Sequence, residues 1–281
     1  MQDLKNFLEH SQFLPSPLPV VNYLTVVTTD PGMTPDQIVN VIRLDPCCCA
    51  RILKFANSIT PQQNNSVSSV TNAVALIGIE KISSLLSIYR MLYPSYQGIK
   101  LPFKLVRFWK HSLAVAMISE SIAKCILRYE DIDVEAVYAA GLLHDIGKLH
   151  LSSYRPVSVS RSVNECTNTP YFATEDPDCT HSLAGGMFAE LWRLPKEIVY
   201  AIEKHHSPDI APFASLTSCV IHVADVSVHL LGYGIVEEEI PPRLDRDAFA
   251  RLGIQPEAIR VITVTVLNKI REIESLVELN R

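Results

Sequence analysis

The run Gly141-Leu142-Leu143-His144-Asp145-Ile146-Gly147-Lys148 constrains this chain more than any other stretch. It puts an imidazole and a carboxylate side by side inside an apolar segment. Burying both is costly unless something pairs with them. A metal ion is the simplest partner, because it takes a neutral histidine nitrogen and an aspartate oxygen together. Lys148 follows four residues after His144, on the same face if one helix runs through about 134–149. A lone lysine there would snorkel to water or favour the helix C-terminus by charge. Beside metal ions it would help to bind phosphate.

Any further ligands must come from elsewhere in a helical chain. The sequence has 281 residues, 48% of them hydrophobic and 20% charged, enough for one large domain or two smaller ones. Apolar residues recur at helical spacing and alternating β-branched runs are few, which predicts an all-α protein. The net charge of −5 disfavours a general nucleic-acid binder. With no long charge-free apolar run and no signal-peptide core in the first ten residues, a cytoplasmic protein without a membrane partner is expected. The seven cysteines show no Cys-x-x-Cys spacing. Cys47, Cys48 and Cys49 are consecutive and would point in different directions from a helix, so they read as small apolar residues, as do Cys125, Cys166, Cys179 and Cys219.

Start and stop signals divide the chain into helices. Thr34-Pro35 and Asp45-Pro46 are N-cap and first-turn pairs, and Gly78 is a C-cap candidate. The stretch 94–102 is the most linker-like, so a boundary is expected there, between an N-terminal helical lobe at 1–100 and a second lobe at 101–281. In the second lobe a helix over about 102–127 carries Phe108, His111, Val115, Ile118, Ile122 and Cys125 on one stripe. Further helices are expected over about 134–149, 179–192, from Pro195 to the His205-His206 pair, 213–231 and 256–279. The polar segment 152–178 reads as a partly helical excursion.

His111, His144, Asp145, His181, His205, His206 and Asp225 thus fall across five predicted helices. Each has an ordinary explanation by itself: His205 and His206 could simply favour a helix C-terminus, and His181 could be a surface residue. Asp225, within Val220-Ile221-His222-Val223-Ala224-Asp225-Val226, needs a cation. His10, His150, His222 and His229 read as incidental. Several inward-facing His and Asp residues together suit iron, manganese or zinc, and favour two ions if Asp145 bridges.

The order His, His-Asp, Asp resembles that of the HD superfamily of metal-dependent phosphohydrolases. His181 and His205-His206 resemble the two-metal HD-GYP branch, which hydrolyses cyclic di-GMP. The sequence departs from that branch at Ser207-Pro208-Asp209, where no Gly-Tyr-Pro loop follows, and at Arg107, where some members place a glutamate. Over nearly the whole chain the resemblance is to the HDOD family, the HD-related output domain. It is carried by 14–19, by Leu44-Asp45-Pro46 with Phe55-Ala56-Asn57-Ser58, by 73–78, by Phe108-Trp109-Lys110-His111-Ser112, and by Leu191-Trp192-Arg193-Leu194-Pro195.

That resemblance implies a two-lobed multi-helix bundle with an HD-like C-terminal lobe. It implies a signalling or output role, with catalysis not a general property of such domains. The HD pattern implies two divalent transition-metal ions, iron or manganese. His111, His144, Asp145 and Asp225 would hold one, and Asp145, His181, His205 and His206 the other. Lys148 and Asp145 would be the catalytic residues of a phosphohydrolase acting on a phosphate-containing small molecule or nucleotide. The competing reading is a non-catalytic output module, its metal structural or sensory and its helical surfaces binding a signalling protein.

Overall fold

The computed structural model describes residues 6, 8, 14–28, 30, 32–60, 66–92, 101–154, 180–208, 216–235 and 241–278. Among them there are helices and connecting turns and no strand, as the helical periodicity predicts. Among the described residues, five helices make the N-terminal part: α1 (Leu18–Thr28), α2 (Pro35–Ile42), α3 (Pro46–Ile59), α4 (Val70–Ile77) and α5 (Ile79–Leu92). Eight follow: α6 (Leu105–Ile126), α7 (Val134–Leu143), α8 (Ile146–Tyr154), α9 (His181–Leu191), α10 (Lys196–Lys204), α11 (Leu216–Leu230), α12 (Arg246–Arg251) and α13 (Pro256–Glu278). No single helix among the described residues is long and apolar enough to cross a membrane. Most of the linker-like stretch at 94–102 and of the excursion at 152–178 lies outside the described residues, as do His10, Cys166 and Cys179.

Local chemistry explains most of the helix boundaries. Thr34 accepts from Gln37 N while the Gln37 side chain accepts from Thr34 N, a reciprocal capping box ahead of Pro35. Asp45 accepts from Cys48 N at 2.6 Å and starts α3. Gly78, at φ 82°, ends α4 in a conformation that side chains disfavour. The start of α9 differs from the sequence expectation: the N-cap is Thr180, which accepts from Leu183 N, and His181 is the first helical residue. At its other end Arg193 N donates to Glu190 O and Leu194 N to Ala189 O, a Schellman motif with Arg193 at φ 58°.

Two expectations are corrected. Cys125 is exposed, and Ile126 takes the buried place at the end of the α6 stripe; the stripe advances by four residues from Ile122, because 3.6 residues make a turn. The helix expected over 134–149 is two helices, α7 and α8, broken at His144-Asp145. Lys148 N donates to Asp145 O, so α8 starts afresh from the aspartate.

Helix α6 is the axis of the second part, with α7, α11 and α13 packed around it, while α9 lies between α8 and α10. The two parts meet where α3 touches α6 and α7 and where α1 touches α13. Arg43 pairs there with Glu120 at 2.7 Å and Glu135 at 3.1 Å, and its guanidinium lies 3.9 Å over the Tyr138 ring. Tyr138 Oη donates to Arg43 O, and Trp109 Nε1 donates to Leu44 O at 2.8 Å. A single buried apolar cluster runs from Leu8 to Val277 across this joint.

Candidate metal centre

Each residue in the His/Asp set sits at a helix end or on an inward helix face. His111 projects from the middle of α6, whose neighbours Leu113, Ala114, Val115 and Ala116 are fully buried. His144 and Asp145 form the break between α7 and α8. His181 opens α9, His205 and His206 close α10, and Asp225 lies midway along α11. The helix packing brings all seven together. His111, His144 and His205 are fully buried, and Asp145 and Asp225 nearly so. His206 is the most open of the set.

Two sub-clusters share Asp145. On one side His111 Nε2 lies 3.2 Å from His144 Nε2, 3.4 Å from Asp145 Oδ2 and 3.2 Å from Asp225 Oδ1. On the other, His181 Nε2 lies 3.3 Å from Asp145 Oδ1, 3.3 Å from His205 Nε2 and 3.0 Å from His206 Nε2. The two oxygens of one carboxylate therefore face two different groups of imidazoles.

The ring tautomers follow from the backbone. A carbonyl can only accept, so His111 Nδ1 donates to Tyr233 O, His144 Nδ1 to Gly141 O and His205 Nδ1 to Ile202 O. With those protons committed, the neutral rings turn unprotonated Nε2 atoms into the cluster. Backbone carbonyls that orient histidines in this way are the usual outer partners of metal ligands.

Electrostatics place the groups in the same states. Burial lowers the His111 and His205 imidazoles, that of His205 well below the usual range, with neighbouring imidazoles adding to the effect. His206 is lowered to about 3 by burial and by His181. Burial alone would raise the two aspartates, but it is outweighed. Lys148 holds Asp145 well below the ordinary carboxylate range, and His229 does the same for Asp225. Neutral imidazoles and ionised carboxylates are the forms that bind metal.

The donor set also fits a metal by what it leaves unmet. Asp145 Oδ1 and both Asp225 carboxylate oxygens are buried without a well-aligned hydrogen bond, and lone pairs on facing Nε2 atoms repel. A buried polar group left without a partner costs about 1–3 kcal/mol. A cation satisfies these groups together. Among the described residues three groups have the spacing for an ion: His111, His144 and Asp145; His111, Asp225 and His229, which shares His111; and, separately, His181, His205 and His206.

Lys148 belongs to the cluster. It is 2% exposed and its Nζ donates to Asp145 Oδ2 at 2.8 Å, so it neither snorkels to solvent nor caps a helix by charge alone. Its position comes from pairing with Asp145 three residues earlier rather than from stacking beneath His144 on one helix.

Three histidines read as incidental are buried here. His229 Nδ1 lies 2.9 Å from Asp225 Oδ1, one turn further along α11; its four-residue spacing from a core aspartate was the available signal. His222 Nδ1 donates to His205 O, and its Nε2 accepts from Asp245 N, tying α10 and the start of α12 to α11. Nothing local in the sequence announces bonds to residues 17 and 23 positions away. His150 packs on the Phe188 ring with centroids 4.1 Å apart.

Gly147 sets the spacing between the two halves. A Cβ there would lie 1.9 Å from His181 O and 2.7 Å from Gly185 N. Backbone meets backbone at this point, and that contact lets α9 bring His181 up to Asp145.

Helices that converge buried histidines and aspartates on one point define an HD-like helical protein with a candidate metal centre. The HDOD domain model matches residues 14–208, and the chain belongs to that family. The MmoQ response regulator of Methylococcus capsulatus has the same fold, with a TM-score of 0.71 at 20% identity over 90% of this chain and 99% of that one. An HDOD domain protein of unknown function from Geobacter sulfurreducens superposes with a TM-score of 0.54 at 21% identity, covering 99% and 97% of the two chains. An uncharacterized protein of Treponema pallidum is 23% identical over 224 residues, 76% of this chain. The chain spans 42% of that relative's length.

Proposed function

We propose that this chain is an HDOD-type signalling protein that keeps a two-ion His/Asp centre and uses it to hydrolyse phosphate esters. The observation that carries the reading is the shared carboxylate: Asp145 offers Oδ2 to the His111, His144 and Asp225 side and Oδ1 to the His181, His205 and His206 side. His111, His144, Asp145 and Asp225 would hold one ion, and Asp145, His181, His205 and His206 the other. The mixed nitrogen and oxygen donors suit iron or manganese. Divalent ions bound there would supply Lewis acidity toward phosphoryl oxygens.

The chain's own residues divide the remaining work. Lys148 Nζ, held inside the cluster by Asp145, supplies a fixed positive charge where negative charge develops on a phosphoryl group. His206, the most open ligand, marks the side from which a phosphate-containing small molecule or nucleotide approaches. The fully buried rings of His111, His144 and His205 keep bulk water from the other side. His222 positions His205 through its backbone and touches no reacting atom.

One observation favours a second reading. Apart from His206, the cluster is almost closed to solvent, as suits an ion that braces the bundle or senses metal while a helical surface engages a signalling protein. The deciding experiment assays metal-loaded protein against phosphomonoesters, cyclic nucleotides and cyclic dinucleotides, with Asp145→Ala as control. Hydrolysis that disappears with Asp145→Ala is expected. A metal-loaded protein inert toward all three classes would overturn the hydrolase and leave the non-catalytic module.

A further inference from the structure

A second site lies outside the His/Asp cluster and shares no residue with it. A cavity of about 330 Å³ opens where the two halves meet. Small-molecule sites span about 300–1,000 Å³, so this one takes a small ligand. Its walls are α3, through Arg51, Lys54, Phe55 and Ser58, and α5, through Leu85 and Tyr89, with Trp192 closing it from the end of α9.

The walls are apolar and aromatic, but the charge is of one sign. Among the described residues Arg51 and Lys54 line the cavity and no carboxylate does. Each cation lies against a ring: the Arg51 guanidinium 4.8 Å from the Tyr89 centroid, and Lys54 Nζ 4.2 Å from that of Trp192. Burial, then the neighbouring Arg51, lowers the Lys54 ammonium, as expected for two like charges confined together. Asp45 is fully buried behind the wall, caps Cys48 N, and interacts electrostatically with Arg51.

We propose that this cavity binds a small anion with a flat aromatic body. The acidic group, a carboxylate or a phosphate, would sit between Arg51 and Lys54. The ring would lie among Phe55, Leu85 and Trp192. Arginine suits either acid because its fork of N–H groups matches both geometries. The rings already under the two cations keep those side chains extended along the walls, which reduces the ordering cost of binding.

Calorimetric titration of the metal-loaded protein tests this. The probes are phenylphosphonate, which has no ester bond to hydrolyse, and indole-3-carboxylate, with phenol and indole as neutral counterparts and Asp145→Ala as a control for the His/Asp centre. Saturable binding of at least one acid is expected, about tenfold or more tighter than its neutral counterpart. Which acid binds tells phosphate ligands from carboxylate ligands. Lys54→Met should weaken binding about tenfold with the metal content unchanged, and Lys54→Arg should restore it. Lys54 is only half-buried and bridges no acid among the described residues, so both variants should fold. No saturation at millimolar concentrations, undiminished binding by Lys54→Met, or binding lost with Asp145→Ala would each overturn the proposal. Loss with Asp145→Ala would assign the binding to the His/Asp centre.

Discussion

His111 and His144 point their Nε2 atoms at each other across 3.2 Å while both Nδ1 protons are committed to backbone carbonyls. Two imine lone pairs at that separation repel unless a cation lies between them and the carboxylates. The purified protein should therefore carry about two transition-metal ions per chain. Metal at a hundredfold excess over its dissociation constant adds about 2.7 kcal/mol, or roughly 5–10 °C in melting temperature. Elemental analysis and thermal melts with and without chelator measure both quantities. Absence of metal after reconstitution, with no change in melting, would refute the centre.

Lys148 and Asp145 should separate cleanly. Asp145→Ala removes the shared carboxylate and should lose at least one ion. Lys148→Ala should keep the ions, because a divalent cation replaces the ammonium as partner of Asp145. Without metal the same change strands a buried carboxylate and should cost about 3–5 kcal/mol. Any hydrolysis should fall about 10²-fold or more in Lys148→Ala. Metal content, chelator-dependent melting and turnover of the two variants test these expectations. Loss of metal from Lys148→Ala would reverse the assigned roles.

Gly147→Ala should disable the centre without touching any ligand. The added methyl meets His181 O and Gly185 N, both backbone atoms that cannot rotate away. Helices α8 and α9 must part, at a cost at or above the upper end of about 1–3 kcal/mol. His181 moves with α9, so binding on the His181, His205 and His206 side should weaken first. Metal stoichiometry and melting temperature would show it, and wild-type values for both would contradict the close approach.

Asp45 should make stability fall as pH rises. Burial raises its carboxyl to about 6, against partial relief from Ser16 and Cys48 N. The folded state thus holds the proton more tightly than the unfolded chain. The contribution is fully present below the unfolded value of about 3.9 and is lost as pH climbs through about 6. The full swing is on the order of 3 kcal/mol. Asp45→Asn keeps an oxygen for Cys48 N and has no proton to lose. Urea unfolding of both proteins at pH 4 and pH 8 should show the variant gaining on wild type at the higher pH, by about 1–3 kcal/mol. A constant difference across that range would refute the coupling.

The helices and the seven cluster residues were legible because their signals are local: caps, 3.6-residue stripes, and polar residues stranded in apolar runs. The break at His144-Asp145 was not, since an unbroken apolar pattern runs across it and the carboxylate that restarts α8 looks like any helical residue. His222 was read as incidental because its two partners are backbone atoms brought in by tertiary packing. His229 needed a three-dimensional neighbour, Asp225, to distinguish it from a surface histidine. Cys125 failed for a simpler reason, a stripe stepped by three where the helix needed four.

The joint at Arg43 and Leu44 has a consequence for how the chain comes apart. Arg43 is clamped by Glu120 and Glu135, its carbonyl accepts from Tyr138, and Leu44 O accepts from Trp109. The apolar cluster passes through the same seam without interruption. Unfolding either half would strip the other of buried surface and leave those acids and donors unmet, so neither half gains by opening alone. The molecule should melt in one cooperative step, and the strength of that step would measure the seam itself.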